Sequence, residues 1–229
     1  MKIKILSWNI WIECDFKQIK RFLKTSNANI IALQEVNEND SVRETIKFLD
    51  SLGYQYVFAP IAEEWEGKMW NYGPAIFTKY KIISSKKYIL SEENKRIAIQ
   101  ADIKISNKIL HVFNTHLVHT HQQYSIVQMQ QVEELLRHIP HERSVLMGDF
   151  NAIPESRTMQ KVKTILLDAD PNNEPTWSVY SQGCRICNPQ KIDVRLDYIF
   201  TTKDIKTYSY KVENSKGSDH LPISVEIEV

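Results

Sequence analysis

Six short stretches of the 229-residue chain end an apolar run in side chains that could do chemistry. They deliver Asn9, Glu35, Asn114 with His116, Asp149 with Asn151, Asp197, and Asp219 with His220. The sharpest is Ser144-Val145-Leu146-Met147-Gly148-Asp149-Phe150-Asn151. Its apolar run is too short for a core helix, a glycine relaxes the backbone, and a carboxylate and a carboxamide follow. Glu35 adjoins Ile30-Ile31-Ala32-Leu33 in the same way. A carboxylate at the mouth of a buried strand is costly unless something compensates its charge. Glu35, Asp149, Asp197 and Asp219 would repel one another if they converged. A hard divalent cation bound through oxygen resolves that repulsion, and the lack of a tight cysteine–histidine set points to magnesium or manganese over zinc. Imidazoles and amides beside such a cation can donate to an anionic substrate as charge develops. The chemistry reached is metal-assisted hydrolysis of a phosphate ester.

Other polar clusters are read more plainly. His116, His119 and His121 lie close in sequence, but their spacing matches no helix-borne pair. His119 and His121 are therefore expected to be solvated loop residues. Cys184-Arg185-Ile186-Cys187 is a single CxxC with no second pair, read as a loop with two incidental thiols, and three cysteines in all make a disulfide framework improbable. Residues 59–74 read as a long aromatic connection carrying Trp65, Trp70 and Tyr72, either bordering a substrate groove or folding back on the body. Trp70, Tyr72 and Asn114 are the expected substrate contacts.

The elements that must position these groups follow from periodicity. Lys2–Trp8, Ile30–Leu33 and Val145–Met147 read as strands. Arg96–Ile105 alternates, turns at Ser106-Asn107 and returns as Lys108–Asn114. Residues 192–200 alternate as well, and a closing strand carries Ile223, Val225, Ile227 and Val229 on one face. Helices are expected from Asp15, from about Ser41 to Leu52 with Gly53 as stop, from about Gln122 to His138 closed by Pro140, and after Pro154. Hairpins in mid-chain with helices elsewhere argue against a purely parallel doubly wound sheet.

Composition sets the class. Hydrophobic residues are 42% and charged residues 25%, an ordinary globular balance. The formal net charge of +1 speaks against a protein that coats nucleic acid, though not against a local basic rim. No stretch is long and apolar enough to span a bilayer, and Met1-Lys2-Ile3-Lys4-Ile5-Leu6 lacks a signal-peptide core, so a cytoplasmic location is expected. With no repeat, linker or composition break, the chain reads as one domain over residues 1–229. No protein partner can be inferred.

The ordered stretches Trp8-Asn9, Leu33-Gln34-Glu35-Val36, Asn114-Thr115-His116-Leu117, Gly148-Asp149-Phe150-Asn151, Arg195-Leu196-Asp197-Tyr198 and Ser218-Asp219-His220-Leu221-Pro222 resemble the successive motifs of the endonuclease/exonuclease/phosphatase superfamily. Tyr72-Gly73-Pro74-Ala75-Ile76-Phe77 resembles its mid-chain strand entry. The match runs from residue 8 to residue 222. The resemblance implies an α/β fold, a four-layer α/β sandwich with two mixed β-sheets packed face to face and helices on both outer sides. It implies Glu35 as principal metal ligand, with Asn9 and Asp219 completing or orienting the shell around magnesium or manganese. Asp149 would align the attacking water, Asn151 would hold the phosphate, and His220, oriented by Asp197, would donate to a phosphate oxygen. His116 would act on the transition state or leaving group from the other side.

Two positions depart from the abasic-site endonucleases of that superfamily. They usually place tyrosine where His116 stands and an acidic residue near Trp11. His116 instead resembles the deoxyribonuclease I, sphingomyelinase, deadenylase and tyrosyl-DNA phosphodiesterase branches. The secreted deoxyribonucleases usually carry a leader and disulfides, neither visible here. The expectation is a magnesium-dependent phosphodiesterase acting on nucleic acid or an adduct of it. The alternatives are an enzyme for a small or lipid-borne phosphate ester and a silent binding module, the latter disfavoured by the intact carboxylate, amide and histidine set.

Overall fold

The computed structural model describes residues 2–38, 44–65, 67–178, 184 and 186–229. Two mixed sheets pack face to face. In the first, β12 (Lys206–Val212), β13 (Ile223–Glu228), β1 (Lys2–Asn9), β2 (Ile30–Asn37), β5 (Lys68–Thr78) and β3 (Gln55–Phe58) lie in that order, with β4 (Ile61–Trp65) also pairing β5. In the second the order is β10 (Leu167–Asp168), β11 (Asp197–Thr201), β9 (Ser144–Asp149), β8 (Lys108–His116), β7 (Arg96–Ile105) and β6 (Lys81–Ser91). Each sheet contains one parallel pair, β1 with β2 and β8 with β9, and antiparallel neighbours elsewhere. The parallel pairs are bridged by α1 (Phe16–Thr25) and α3 (Ile126–Arg137), as a parallel connection requires. The expected four-layer arrangement is the observed one.

Alternation along the strands builds the layers. Ile3 and Ile5 of β1, Leu110 and Val112 of β8, and Val145 and Met147 of β9 fill the space between the sheets. Their neighbours Leu6, Trp8, Phe113 and Leu146 face the outer helices. Asp15 caps α1, its side chain accepting from Gln18 N at 3.1 Å, and Ile19 and Leu23 are its buried stripe. No helix of the described residues is long and apolar enough to cross a membrane.

Several expected boundaries shift. The helix expected from about Gln122 begins at Ile126, because Ser125 caps it. The helix after Pro154 begins at Arg157 behind a Ser156 cap, so Pro154 lies before it rather than in its first turn. The helix expected from about Ser41 is α2 (Thr45–Ser51), its expected start lying outside the described residues. Residues 59–74, expected as a long connection, lie largely in β4 and the first part of β5, which pair as a hairpin with Glu63 opposite Trp70 and Ile61 opposite Tyr72. Residues 192–196 alternate without forming a strand, and β11 starts only at Asp197.

Candidate active site

The same alternation that builds the inner core carries polar groups to its open end. On β1, Ile3 and Ile5 are followed two and four residues on by Ser7 and Asn9. On β8, Leu110 and Val112 lead to Asn114 and His116, and on β9, Val145 and Met147 lead to Asp149. Asn9 stands at the carboxyl end of β1, and His116 and Asp149 end the second sheet's parallel pair as register partners. Asp197 begins the antiparallel β11 directly opposite Asp149. Asp219 and His220 arrive on the segment before β13. Glu35 breaks the alternation, since Ile31 and Leu33 face the helices. A bulge between Leu33 and Val36, with Glu35 at φ +60°, gives Val36 the helix-facing place and turns Glu35 into the cleft. Gly148 allows β8 and β9 to approach: a Cβ there would sit 2.1 Å from the Thr115 carbonyl oxygen.

These side chains are knit together. The Asn9 amide nitrogen donates to Glu35 Oε1 at 3.1 Å and to Asp149 Oδ2 at 3.0 Å. Its oxygen accepts from Trp11 N at 3.0 Å, so Asn9 meets the carboxylates as a donor. His220 Nδ1 pairs with Asp197 Oδ2 at 2.8 Å, and the Thr176 hydroxyl donates to the same oxygen at 2.6 Å. His220 Nε2 lies 3.6 Å from Asp149 Oδ2, with His116 Nε2 3.4 Å from that atom on the other side. The Trp177 indole N–H donates to Asp219 Oδ2 at 3.0 Å. Asp149 Oδ1 accepts from Asn151 N at 2.8 Å.

Their surroundings push the two histidines in opposite directions. Burial, with Arg96 nearby, pushes His116 well below its usual range, so it is neutral. Burial also opposes charge on His220, but Asp197, Asp149 and Asp219 outweigh it and hold the ring protonated. Asp149, Asp197 and His220 converge closely enough to bracket an ion. A protonated imidazole held between carboxylates already fills that space and is no ligand. Glu35 and Asp219 line the same cleft. Burial and the charge of Asp219 push Glu35 up to about 7, and burial pushes Asp149 up to about 6. Such shifts mark carboxylates whose desolvation outweighs the positive charge of His220 nearby, and a hard divalent cation among these oxygens would reverse them.

The cleft over these groups has a volume of about 750 Å³, and Trp70, Tyr72, Trp177 and Arg96 help to line it. Tyr72 donates its hydroxyl to Glu63. Asn114, expected to touch substrate, does not. It is fully buried, donating to the Leu33 and Ala75 carbonyls at 2.8 Å and accepting from Gln34 at 2.8 Å. It ties the sheets together beneath the bulge that aims Glu35.

Arg96 and Trp177 were not singled out from sequence. Arg96 heads an isoleucine-rich alternation, next to Lys95. Trp177 follows Thr176 in a proline-flanked segment whose path only the fold reveals. His119, expected to be solvated, pairs through Nδ1 with Asn151 Oδ1 at 2.7 Å. Cys184 and Cys187, expected as incidental thiols, come within 4.0 Å of the His119 and His121 ring nitrogens.

Known folds agree with this architecture. An endonuclease/exonuclease/phosphatase from Beutenbergia cavernae superposes with a TM-score of 0.82 at 18% identity, covering 100% of this chain and 72% of that one. A Bacteroides thetaiotaomicron mannosyl-6-phosphatase gives 0.75 at 15% identity, covering 99% and 100%. ANGEL2, a 2′,3′-cyclic phosphatase, gives 0.74 at 17% identity, covering 99% and 95%. No curated protein matches the sequence. The Endonuclease/Exonuclease/phosphatase family model spans residues 6–220, from the strand that ends in Asn9 to His220, and the chain belongs to that family of phosphoester hydrolases.

Proposed function

We propose that this protein is a magnesium- or manganese-dependent phosphoester hydrolase of the cytoplasm, a single catalytic domain. The observation that carries this reading is the placement of His116 and His220 at 3.4 and 3.6 Å from Asp149 Oδ2, in the cleft that Glu35 and Asp219 also line. Glu35 and Asp219 would hold the cation, and Asn9 orients Glu35 by donating to it. The bound cation supplies positive charge that polarises the phosphoryl group. Asp149 accepts hydrogen bonds from Asn9 and from the Asn151 backbone, and it is placed to align the attacking water. His220, charged and fixed by Asp197, donates to a non-bridging phosphate oxygen as negative charge builds there. His116 faces the leaving-group side as a neutral imidazole, and Asn151 contacts the phosphate.

The substrate we favour is a nucleotide-sized phosphate ester. Glu63 and Glu64 line the cleft, and among its described lining residues Arg96 is the only lysine or arginine. A long polyanion is normally held by many phosphate-neutralising cations. The half-buried Arg96, whose Nε has no hydrogen-bond partner, suits a single phosphate. Trp70 and Tyr72 offer ring faces for a base or sugar. The resemblance to a 2′,3′-cyclic phosphatase and a mannosyl-6-phosphatase supports the same scale. Those ring faces also favour a second reading, the end of a nucleic-acid strand.

A panel of single- and double-stranded DNA, RNA, abasic DNA, 5′-tyrosyl DNA, sphingomyelin, cyclic nucleotides and sugar phosphates, with and without magnesium, tests both. Turnover of a small ester only with the metal is expected. No turnover of any member with magnesium or manganese would overturn the proposal, and faster turnover of long strands would shift it to the second reading.

A further inference from the structure

Beside the cleft lies a second convergence that the phosphoester chemistry does not use. His119 Nε2 and His121 Nδ1 are 3.0 Å apart. Cys187 Sγ lies 3.3 Å from His121 Nδ1 and 3.7 Å from His119 Nε2. Cys184 Sγ lies 3.6 Å and 4.0 Å from the same two nitrogens, and all four ligand atoms fall within 4.8 Å of one another. All four residues are half-buried, and neither thiol is in a disulfide. From these contacts we propose that His119, His121, Cys184 and Cys187 form a tetrahedral site for zinc, separate from the oxygen-lined seat at Glu35.

The donor chemistry and the dimensions agree. Zinc–nitrogen bonds of about 2.05 Å and zinc–sulfur bonds of about 2.3 Å give tetrahedral edges of about 3.3–3.8 Å. The observed separations of 3.0–4.0 Å straddle that range. The surrounding hydrogen bonds agree as well. The Asn151 amide is oriented by donating to the Leu117 carbonyl at 3.0 Å, which turns its oxygen towards His119 Nδ1. His119 therefore carries its proton on Nδ1 and leaves a lone pair on Nε2 facing the cluster, as a metal-bound imidazole requires. Cys187 N donates to Cys184 Sγ at 3.0 Å, which holds the two cysteines in one tight turn. Two imidazoles and two thiolates are the donors of a borderline-soft ion, whereas magnesium prefers oxygen. Four protein ligands leave no open position, so the ion's role is structural. It fastens the segment carrying Cys184 and Cys187 to the loop of His119 and His121, across more than sixty residues of chain.

The test is metal content and spectroscopy, which do not depend on turnover. Protein purified without chelator is expected to carry one zinc per chain, unchanged in Glu35→Gln and absent in the Cys184→Ser/Cys187→Ser double variant. Replacement by cobalt is expected to give a thiolate-to-cobalt charge-transfer band and the intense d–d absorption of a tetrahedral site. Asn151→Ala is expected to weaken zinc binding about 10–100-fold by removing the group that orients His119. Retention of zinc by the double-serine variant would overturn the proposal. Should that variant fail to fold, the cobalt spectrum of the unaltered protein decides alone, and a spectrum without thiolate charge transfer refutes the site. Thiol titration without reductant that finds Cys184 joined to Cys187 would refute it too, assigning the pair to redox chemistry.

Discussion

Replacing Glu35 by glutamine separates the cost of its charge from the cation that relieves it. In the folded protein, burial and Asp219 raise this carboxyl from 4.5 to about 7. A shift of that size corresponds to about 3 kcal/mol between the protonated and ionised forms. The side chain keeps 16% of its surface at the cleft mouth, so about 2 kcal/mol is the expected effect. The sign follows from proton linkage. A carboxyl whose folded pKa is raised holds its proton more tightly folded than unfolded. Its contribution is therefore fully present below about pH 4.5 and lost as the pH climbs to about 7. In magnesium-free buffer, Glu35→Gln should match the parent near pH 4.5 and melt higher near pH 8 by about 4–8 °C for a chain of this length. The amide can still accept from Asn9, so the fold should persist. Adding magnesium should raise the melting temperature of the parent, leave the variant almost unmoved and restore no activity. Thermal denaturation followed by circular dichroism at both pH values, with and without magnesium, measures every arm. Equal magnesium stabilisation of both proteins, or a variant no more stable than the parent near pH 8, would refute the reasoning.

Three further outcomes are expected. His220→Ala should lower turnover by roughly 10²–10⁴-fold, with Asp197→Asn close behind and the double variant little worse than the poorer single one. Because Asp197 helps to keep His220 protonated, Asp197→Asn should move the alkaline limb of the pH–rate profile to lower pH; an unmoved limb whose lost activity returns at saturating magnesium would make Asp197 a metal ligand instead. Trp70→Ala should weaken substrate binding by about 1–3 kcal/mol if its ring stacks on a base, read as a raised KM at unchanged melting temperature; the reverse pattern would make it a packing residue. Arg195, 1% exposed, bonded to Asp168 at 2.7 and 2.8 Å and 3.5 Å from Asp170 Oδ2, should cost about 3–5 kcal/mol when changed to alanine, checked by urea denaturation, since the fully buried Asp170 loses its ion-pair partner.

The strand core and its polar ends were legible in the sequence because a period of two is a local property. The alternation that buries Ile3, Ile5, Leu110, Val112, Val145 and Met147 also dictates which face Asn9, His116 and Asp149 must share. Capping was nearly as local, as Asp15 shows. Other features depended on partners distant in the chain. Glu35 reaches the cleft only because β2 bulges against β5, and Asn114 is a crosslink only because it finds carbonyls on two other strands. Residues 59–74 looked like a loop because Glu63, Glu64 and Asn71 interrupt the apolar alternation that marks a strand, and only the pairing of β4 with β5 reveals the hairpin. The charge states of His116 and His220 follow from groups brought near by folding. The clearest case is His119 and His121 with Cys184 and Cys187. Each half is an unremarkable short motif with too few donors to hold an ion, and no periodicity links them. Only the closure of the fold brings the four donors together.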